Sequence, residues 1–317
     1  MTGPAMRISV VIPTIGRPVL ADVATAVMRQ DPFELIVVAD AHSAQVRAVL
    51  AGCGLDDDPR VRVVAGPGGG PAPARQTGVE HSNGDLVVLL DDDVVPDPGL
   101  LLGHRQVHES VSDAVVVGYI PVAPEITSHS VTSTIYSRDY ESACDALVAA
   151  PRRVLPALWG GNISLRRSDC LRVPQAVDSF RGLLLEDTEF GLRCLRAGLV
   201  GIFDRKISAV HYHEQTVEEF LRASERQAHA NRVLCTQYPD IAIAHDPTAG
   251  LPGYAVVVLR AHQLPIVGPW MLSLTRFAAL RAGRKLTPRR VKIVGFARVA
   301  VQIAQTRRES EHAQGIP

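Results

Sequence analysis

The chain has 317 residues, 46% of them hydrophobic and 21% charged, with 33 basic and 33 acidic side chains. That is globular composition, which excludes a disordered or fibrous protein, and zero net charge argues against bulk binding of nucleic acid. The balance is uneven, because residues 250–317 hold 11 Lys+Arg and 2 Asp+Glu, leaving the tail at +9 and the body, with 22 and 31, at −9.

In chain order, short β-branched apolar runs alternate with helical patterns. Ile8–Ile12, Leu35–Ala39, Val61–Val64, Leu86–Leu90 and Ala114–Gly118 read as strands, each nearly continuously apolar as buried parallel strands are. Between them Pro18–Gln30, Ser43–Leu50, Ala74–His81 and Asp97–Glu109 read as crossover helices, which predicts an α/β architecture of the nucleotide-binding type. Further on come a helix over Val131–Ala149, a turn at Trp159–Asn162, a strand at Ile163–Leu165 and a helix from Glu186 to a stop at Gly198. Ile207–Val210 reads as strand. Thr216 with Glu219 spells a capping box that opens a helix towards Cys235. Prolines at 247, 252, 265 and 269 predict a linker, so the chain is divided as a body over 1–245 and a basic helical extension over 246–317.

The five cysteines, Cys53, Cys144, Cys170, Cys194 and Cys235, are odd in number and form no C-x-x-C pair, which predicts reduced thiols and a cytoplasmic protein. Arg7–Pro13 has neither the basic nor the apolar region of a secretory leader. The most apolar stretch, 261–275, contains two prolines and is too short to span a bilayer.

In open α/β sheets ligands bind beyond the carboxyl ends of the strands, so Pro13-Thr14, Asp40 and Asp91-Asp92-Asp93 are the candidates. Three adjacent carboxylates raise one another's pKa unless a cation compensates, and a hard divalent ion suits them; an acidic turn capping the next helix is the plain alternative. His211 and His213 follow a strand at a spacing of two, which would put both on one face. Glu186-Asp187 opens a helix, either as dipole partners or as a carboxylate aimed into the cleft as general base. Arg75 near a helix start offers planar donors for a nucleotide, or a surface salt bridge. The loop Gly66–Pro73 fails the dinucleotide fingerprint, and neither a P-loop nor a G-x-S-x-G elbow occurs.

Taken in order, Ser9–Thr14, Ala74–Gly78, Gly84–Asp93, Gly160–Arg167, Glu186-Asp187 and His211 resemble a family-2 glycosyltransferase over roughly residues 7–240. The resemblance implies a GT-A fold, with a mostly parallel sheet flanked by helices, a nucleotide-sugar donor, UDP-linked by preference, and inverting transfer to a hydroxyl acceptor. It implies manganese or magnesium held by Asp93 and His211, with His213 in reserve, and Asp187 as catalytic base. Pro13, Thr14, Asp40, Arg75, Asp91, Asp92, Gly160, Gly161 and Asn162 fall to the donor, and Trp159 and Glu186 to the acceptor side. The family's usual Asp-Asp-Gly-Ser is Ala39-Asp40-Ala41-His42 here, and its aromatic-Asn pair is Ile15-Gly16. The alternatives are a sugar-nucleotide-forming nucleotidyltransferase, whose Gly-rich basic loop is not matched by Thr14–Arg17, and a degenerate transferase that binds without turnover.

In the extension Trp270, Leu274 and Phe277 fall on one helical face, Gly283 ends that helix, and Thr287-Pro288 starts another. Arg281, Arg284, Lys285, Arg289, Arg290 and Lys292 cluster at the junction. Docking of this cluster onto the acidic body is the preferred expectation; peripheral contact with the inner membrane face is the alternative.

Overall fold

A computed structural model describes residues 5–180, 182–240, 248, 252–262, 264 and 267–313. In chain order it contains β1 (Ile8–Thr14), α1 (Leu20–Met28), β2 (Glu34–Ala39), α2 (Ser43–Gly52), β3 (Val61–Ala65), α3 (Pro71–His81), β4 (Leu86–Leu90), β5 (Val94–Pro96), α4 (Leu100–Ser110) and β6 (Ala114–Tyr119). Then follow α5 (Pro124–Thr127), α6 (Val131–Ala149), β7 (Asn162–Arg166), α7 (Arg167–Arg172), α8 (Glu186–Arg196), β8 (Val200–His211), α9 (Val217–Gln237), α10 (Gly253–Ala261), α11 (Val267–Ala282) and α12 (Pro288–Ala313). The chain divides into two compact units, one of Met1–Ala123, Tyr140–Gly182 and Glu186–Tyr212, the other of Pro124–Asp139, Leu183–Leu185 and His213–Pro317.

The first unit is built on an eight-stranded sheet of order β3-β2-β1-β4-β7-β6-β8-β5. Every residue of β1, β2 and β4 is buried, which is why these strands carry no alternation of apolar and polar residues. β1 pairs in parallel with both β2 and β4, and β2 with β3. Helix α1 buries Leu20, Val23, Ala24 and Val27, the spacing of one helical face.

Three features of the sheet are absent from the sequence reading. β7 runs antiparallel between β4 and β6, an orientation that an apolar run does not encode. β8 covers twelve residues rather than four, because Asp204, Arg205 and Lys206 interrupt its apolar pattern without ending the strand. β5 is three residues long and pairs antiparallel with β8, setting Val94 opposite His211.

The second unit is helical. Its core joins Val131 and Ile135 of α6 to Phe220 and Leu221 of α9, Leu259 of α10, Leu272 and Ala279 of α11, and Val294, Ala297 and Ala300 of α12. The sequence reading assigns α9 to the body, whereas its apolar face packs with α11 and α12. α10 occupies Gly253–Ala261 within the stretch expected to be a linker; the expected boundary at 245/246 lies outside the described residues. α11 and α12 are the two expected tail helices.

Candidate active site

The carboxyl ends of β1, β2 and β4 bring Thr14, Asp40 and Asp91–Asp93 to one edge of the first unit's sheet. Thr14 Oγ1 donates to Asp92 Oδ2 at 2.6 Å and accepts from Gly16 N at 2.9 Å. Burial pushes the Asp92 carboxyl above its usual range; the Thr14 hydrogen bond and the Arg17 charge oppose that rise, and Asp93 and Asp91 add to it. Arg17, which sequence reasoning passed over, donates from Nη1 to Asp92 Oδ1 at 2.8 Å and to Asp93 Oδ2 at 2.7 Å. Only its place at the end of a strand loop, facing three acids, could have marked it. Pro13 is a buried residue of β1, paired with Val38.

The short β5–β8 ladder assembles the next pair. With Val94 opposite His211, Asp93 falls beside that histidine: Tyr212 N donates to the Asp93 carbonyl at 2.8 Å, and His211 Nε2 lies 3.5 Å from Asp93 Oδ1. One carboxylate oxygen and one imidazole nitrogen form a mixed donor set, which fits manganese better than magnesium with its preference for all-oxygen shells. His213, two residues on, begins the second unit.

Arg75 is the centre of the other half. Only 2% of its side chain is exposed, and it donates from Nη1 to Asp187 Oδ1 at 2.7 Å and from Nη2 to Asp91 Oδ1 at 2.6 Å. Burial works against its charge, but Asp91 and Asp187 more than offset this and hold the guanidinium firmly protonated. A buried fork between two carboxylates replaces the surface salt bridge that the sequence left open. The turn at 160–161 closes over it. Gly160 N donates to Asp187 Oδ2 at 2.8 Å, and a Cβ on Gly160 would lie 2.6 Å from Arg75 Nη2 and 2.8 Å from Asp187 Oδ2. Gly161, at φ +92°, is in the left-handed region where glycine is favoured, and its carbonyl accepts from Asp91 N.

Asn162 and Asp40 are committed to neighbours. Asn162 Nδ2 donates to the Ile207 carbonyl at 3.0 Å, and its Oδ1 lies 2.8 Å from His104 Nε2. The chain continues through His104 Nδ1, Ser164 Oγ and His108 Nε2, so Asn162 faces the core and borders the site by its backbone. Burial, the largest cause, lowers both histidines to about 4, and both are neutral at pH 7. Asp40 accepts from Gly68 N at 2.9 Å and Gly70 N at 3.0 Å, which ties down the glycine-rich loop.

Trp159 packs edge-on between Tyr140 and Phe203, with centroids 5.2 and 5.7 Å away. Glu186 opens α8 beside a pocket of about 90 Å³ lined by Ala72, Pro73, Gln175 and Phe180. Burial, with Asp187 adding to it and Arg75 opposing it, pushes Glu186 up to about 7. Glu189 is held on both oxygens by Arg193 Nε at 2.9 Å.

The chain is similar to known proteins in sequence and in fold. Residues 9–172 match the family model for glycosyl transferase family 2. A stretch of 96 residues is 33% identical to the succinoglycan biosynthesis protein ExoW of Rhizobium meliloti (strain 1021), covering 30% of each chain. Among solved structures, a mannosyltransferase, PcManGT from Pyrobaculum calidifontis in complex with GDP-Man and Mn2+, is 15% identical with a TM-score of 0.60, covering 98% of this chain and 89% of that one. S. aureus TarS 1-349 in complex with UDP-GlcNAc is 14% identical with a TM-score of 0.52, covering 98% and 92%. The mixed sheet with its flanking helices is thus of GT-A type. The family match extends from β1 through α7, over more than half the chain, and with it the protein is a glycosyltransferase that belongs to glycosyl transferase family 2.

Proposed function

We propose that this glycosyltransferase moves a sugar from a nucleoside-diphosphate donor, UDP-linked by preference, to an acceptor hydroxyl with inversion, aided by a divalent metal. The observation that carries the reading is the Asp93–His211 pair, 3.5 Å apart at the carboxyl edge of the sheet and on the same edge as Arg75 with Asp91 and Asp187. The manganese and nucleotide sugars bound by the structural neighbours support it. Asp93 and His211 would hold the ion, with His213 kept in reserve on its sequence position; when bound, the ion neutralises charge on the departing diphosphate.

The remaining steps fall to the chain itself. Thr14, Asp40, Asp91 and Asp92 border the nucleotide and sugar, with Pro13, Gly160, Gly161 and Asn162 contributing backbone. Arg75 anchors Asp91 and Asp187 together. Asp187 accepts from Arg75 and Gly160, which uses two of the roughly four acceptor sites of a carboxylate and leaves room for an acceptor hydroxyl. It takes the proton as the acceptor oxygen attacks the anomeric carbon opposite the diphosphate, and one such displacement inverts configuration. Trp159 and Glu186 lie towards the acceptor. A second reading makes Glu186 the base, favoured by its position near pH 7.

Kinetics decide between them. Asp187→Asn should leave donor affinity within about twofold and lower kcat about a hundredfold or more, while Glu186→Gln retains most of kcat. If Glu186→Gln is the dead variant and its removal abolishes an ionisation near pH 7 in the rate profile, the base is Glu186. Donor class follows from melting temperature with UDP-, GDP- and dTDP-sugars, with and without manganese, because a ligand of the folded state stabilises by mass action.

A further inference from the structure

Helix α11 carries two apolar faces. Gly268, Leu272, Ala279 and Ala282 are buried, whereas Val267, Trp270, Leu274 and Phe277 are 48%, 79%, 69% and 55% exposed. At a helical period the exposed four fall within a stripe of about 80°. An ordinary surface helix is polar on its outward side, and nothing in the folding of the second unit requires this second face. Helix α10 adds Val257, 66% exposed. A groove of about 360 Å³ runs between α11 and α12, lined by Leu274, Ala278, Ile293 and Phe296 together with Arg289 and Lys292.

The charge around this face has one sign. Arg281, Arg284, Lys285, Arg289 and Lys292 are exposed, and none of them forms an ion pair among the described residues. Arg281 instead lies over the Phe277 ring, 5.1 Å from its centroid. No Asp or Glu occurs from 247 to 308, so the patch has no anion of its own to quiet it.

We propose that this face seats the protein on an anionic lipid surface, with Trp270, Leu274 and Phe277 entering the headgroup layer and the five cations meeting lipid phosphates. A tryptophan at an apolar–polar boundary and cations flanking an apolar stripe are what such a surface attracts. No helix among the described residues is long and apolar enough to cross a membrane, so the helix lies on the surface rather than through it. A second copy fits less well, since joining two such faces sets five cations against five with no carboxylate between them. The proposal holds whatever donor the first unit uses.

The test uses the full chain and vesicles of phosphatidylcholine with or without phosphatidylglycerol. The expected result is partitioning at least about tenfold stronger on the anionic vesicles, weakened by high salt, with a blue shift of Trp270 emission that Trp270→Phe removes. Trp270→Glu and Phe277→Glu replace exposed side chains, so circular dichroism and melting temperature should match the parent while partitioning falls about tenfold. Arg289→Gln with Lys292→Gln should weaken the preference for anionic lipid about tenfold or more while the apolar binding remains. Equal partitioning on both vesicle types, no partitioning at all, or unchanged binding by the two glutamate variants overturns the proposal. A dimer in sedimentation that Trp270→Glu dissociates, without lipid binding, would assign the face to a second copy instead.

Discussion

At the scale of single residues, the site depends on close approach as much as on charge. Gly160 lies where a Cβ would press on both Arg75 Nη2 and Asp187 Oδ2, so Gly160→Ala should leave the fold intact but part the Arg75–Asp187 pair. Turnover should fall at least about tenfold, the scale set by misplacing a catalytic group; unchanged turnover would show that the pair is dispensable. The buried chain Asn162–His104–Ser164–His108 makes a separate prediction. Both histidines sit near 4 in the fold against about 6.5 unfolded, so the unfolded state binds more protons between those values. Their contribution is therefore present above about pH 6.5 and is lost as pH falls towards 4, by on the order of 3 kcal/mol each. Urea midpoints at pH 7 and pH 5 should separate in the parent and converge in His104→Gln with His108→Gln; equal separation in both proteins would remove the histidines from the account. The acids at 91–93 stood out in the sequence because three adjacent carboxylates at the end of a buried apolar strand invite a compensating cation. Arg17 and the His104 chain were not legible there, since each depends on partners 56 or more residues away.

At the scale of elements, the start of α9 was easy to read and strand directions were hard. The capping box is present in full: Thr216 Oγ1 accepts from Glu219 N at 3.2 Å, and Thr216 N donates back to Glu219 Oε2 at 2.9 Å. Thr216→Ala should therefore lower the stability of the second unit by about 1 kcal/mol, read as a reduced denaturation midpoint with donor affinity unchanged; an unaltered midpoint would mean that solvent replaces the cap. Capping is local, encoded within four residues, so sequence suffices. Strand pairing is not. β5 has three residues and no periodicity to detect, yet its register with β8 is what sets Asp93 beside His211. β7 reads the same whether it runs up or down; its direction is fixed only by both its neighbours.

At the scale of the whole molecule, Asp40, Arg75, Asp91–Asp93, Asp187 and His211 all precede residue 250, while most of the second unit's core, from Leu259 to Ala304, follows it. A chain ending at Gly250 should keep donor-dependent stabilisation. It should lose more helix than the deleted residues account for, because Phe220 and Leu221 of α9 would face water without α11 and α12. Circular dichroism and a donor titration of the same preparation check both halves, and loss of donor binding in a chain that stays folded would refute the division of labour. The two compact units interleave in sequence, with 124–139 and 183–185 belonging to the second, and no composition shift marks that. Arg75 carries a consequence for how such an enzyme changes over generations. It grips Asp91 and Asp187 at once, so the three positions form one epistatic unit whose members do not vary freely. A substitution at Asp91 is felt at once by Asp187 through their shared guanidinium, so change is tolerated more readily at residues outside these three.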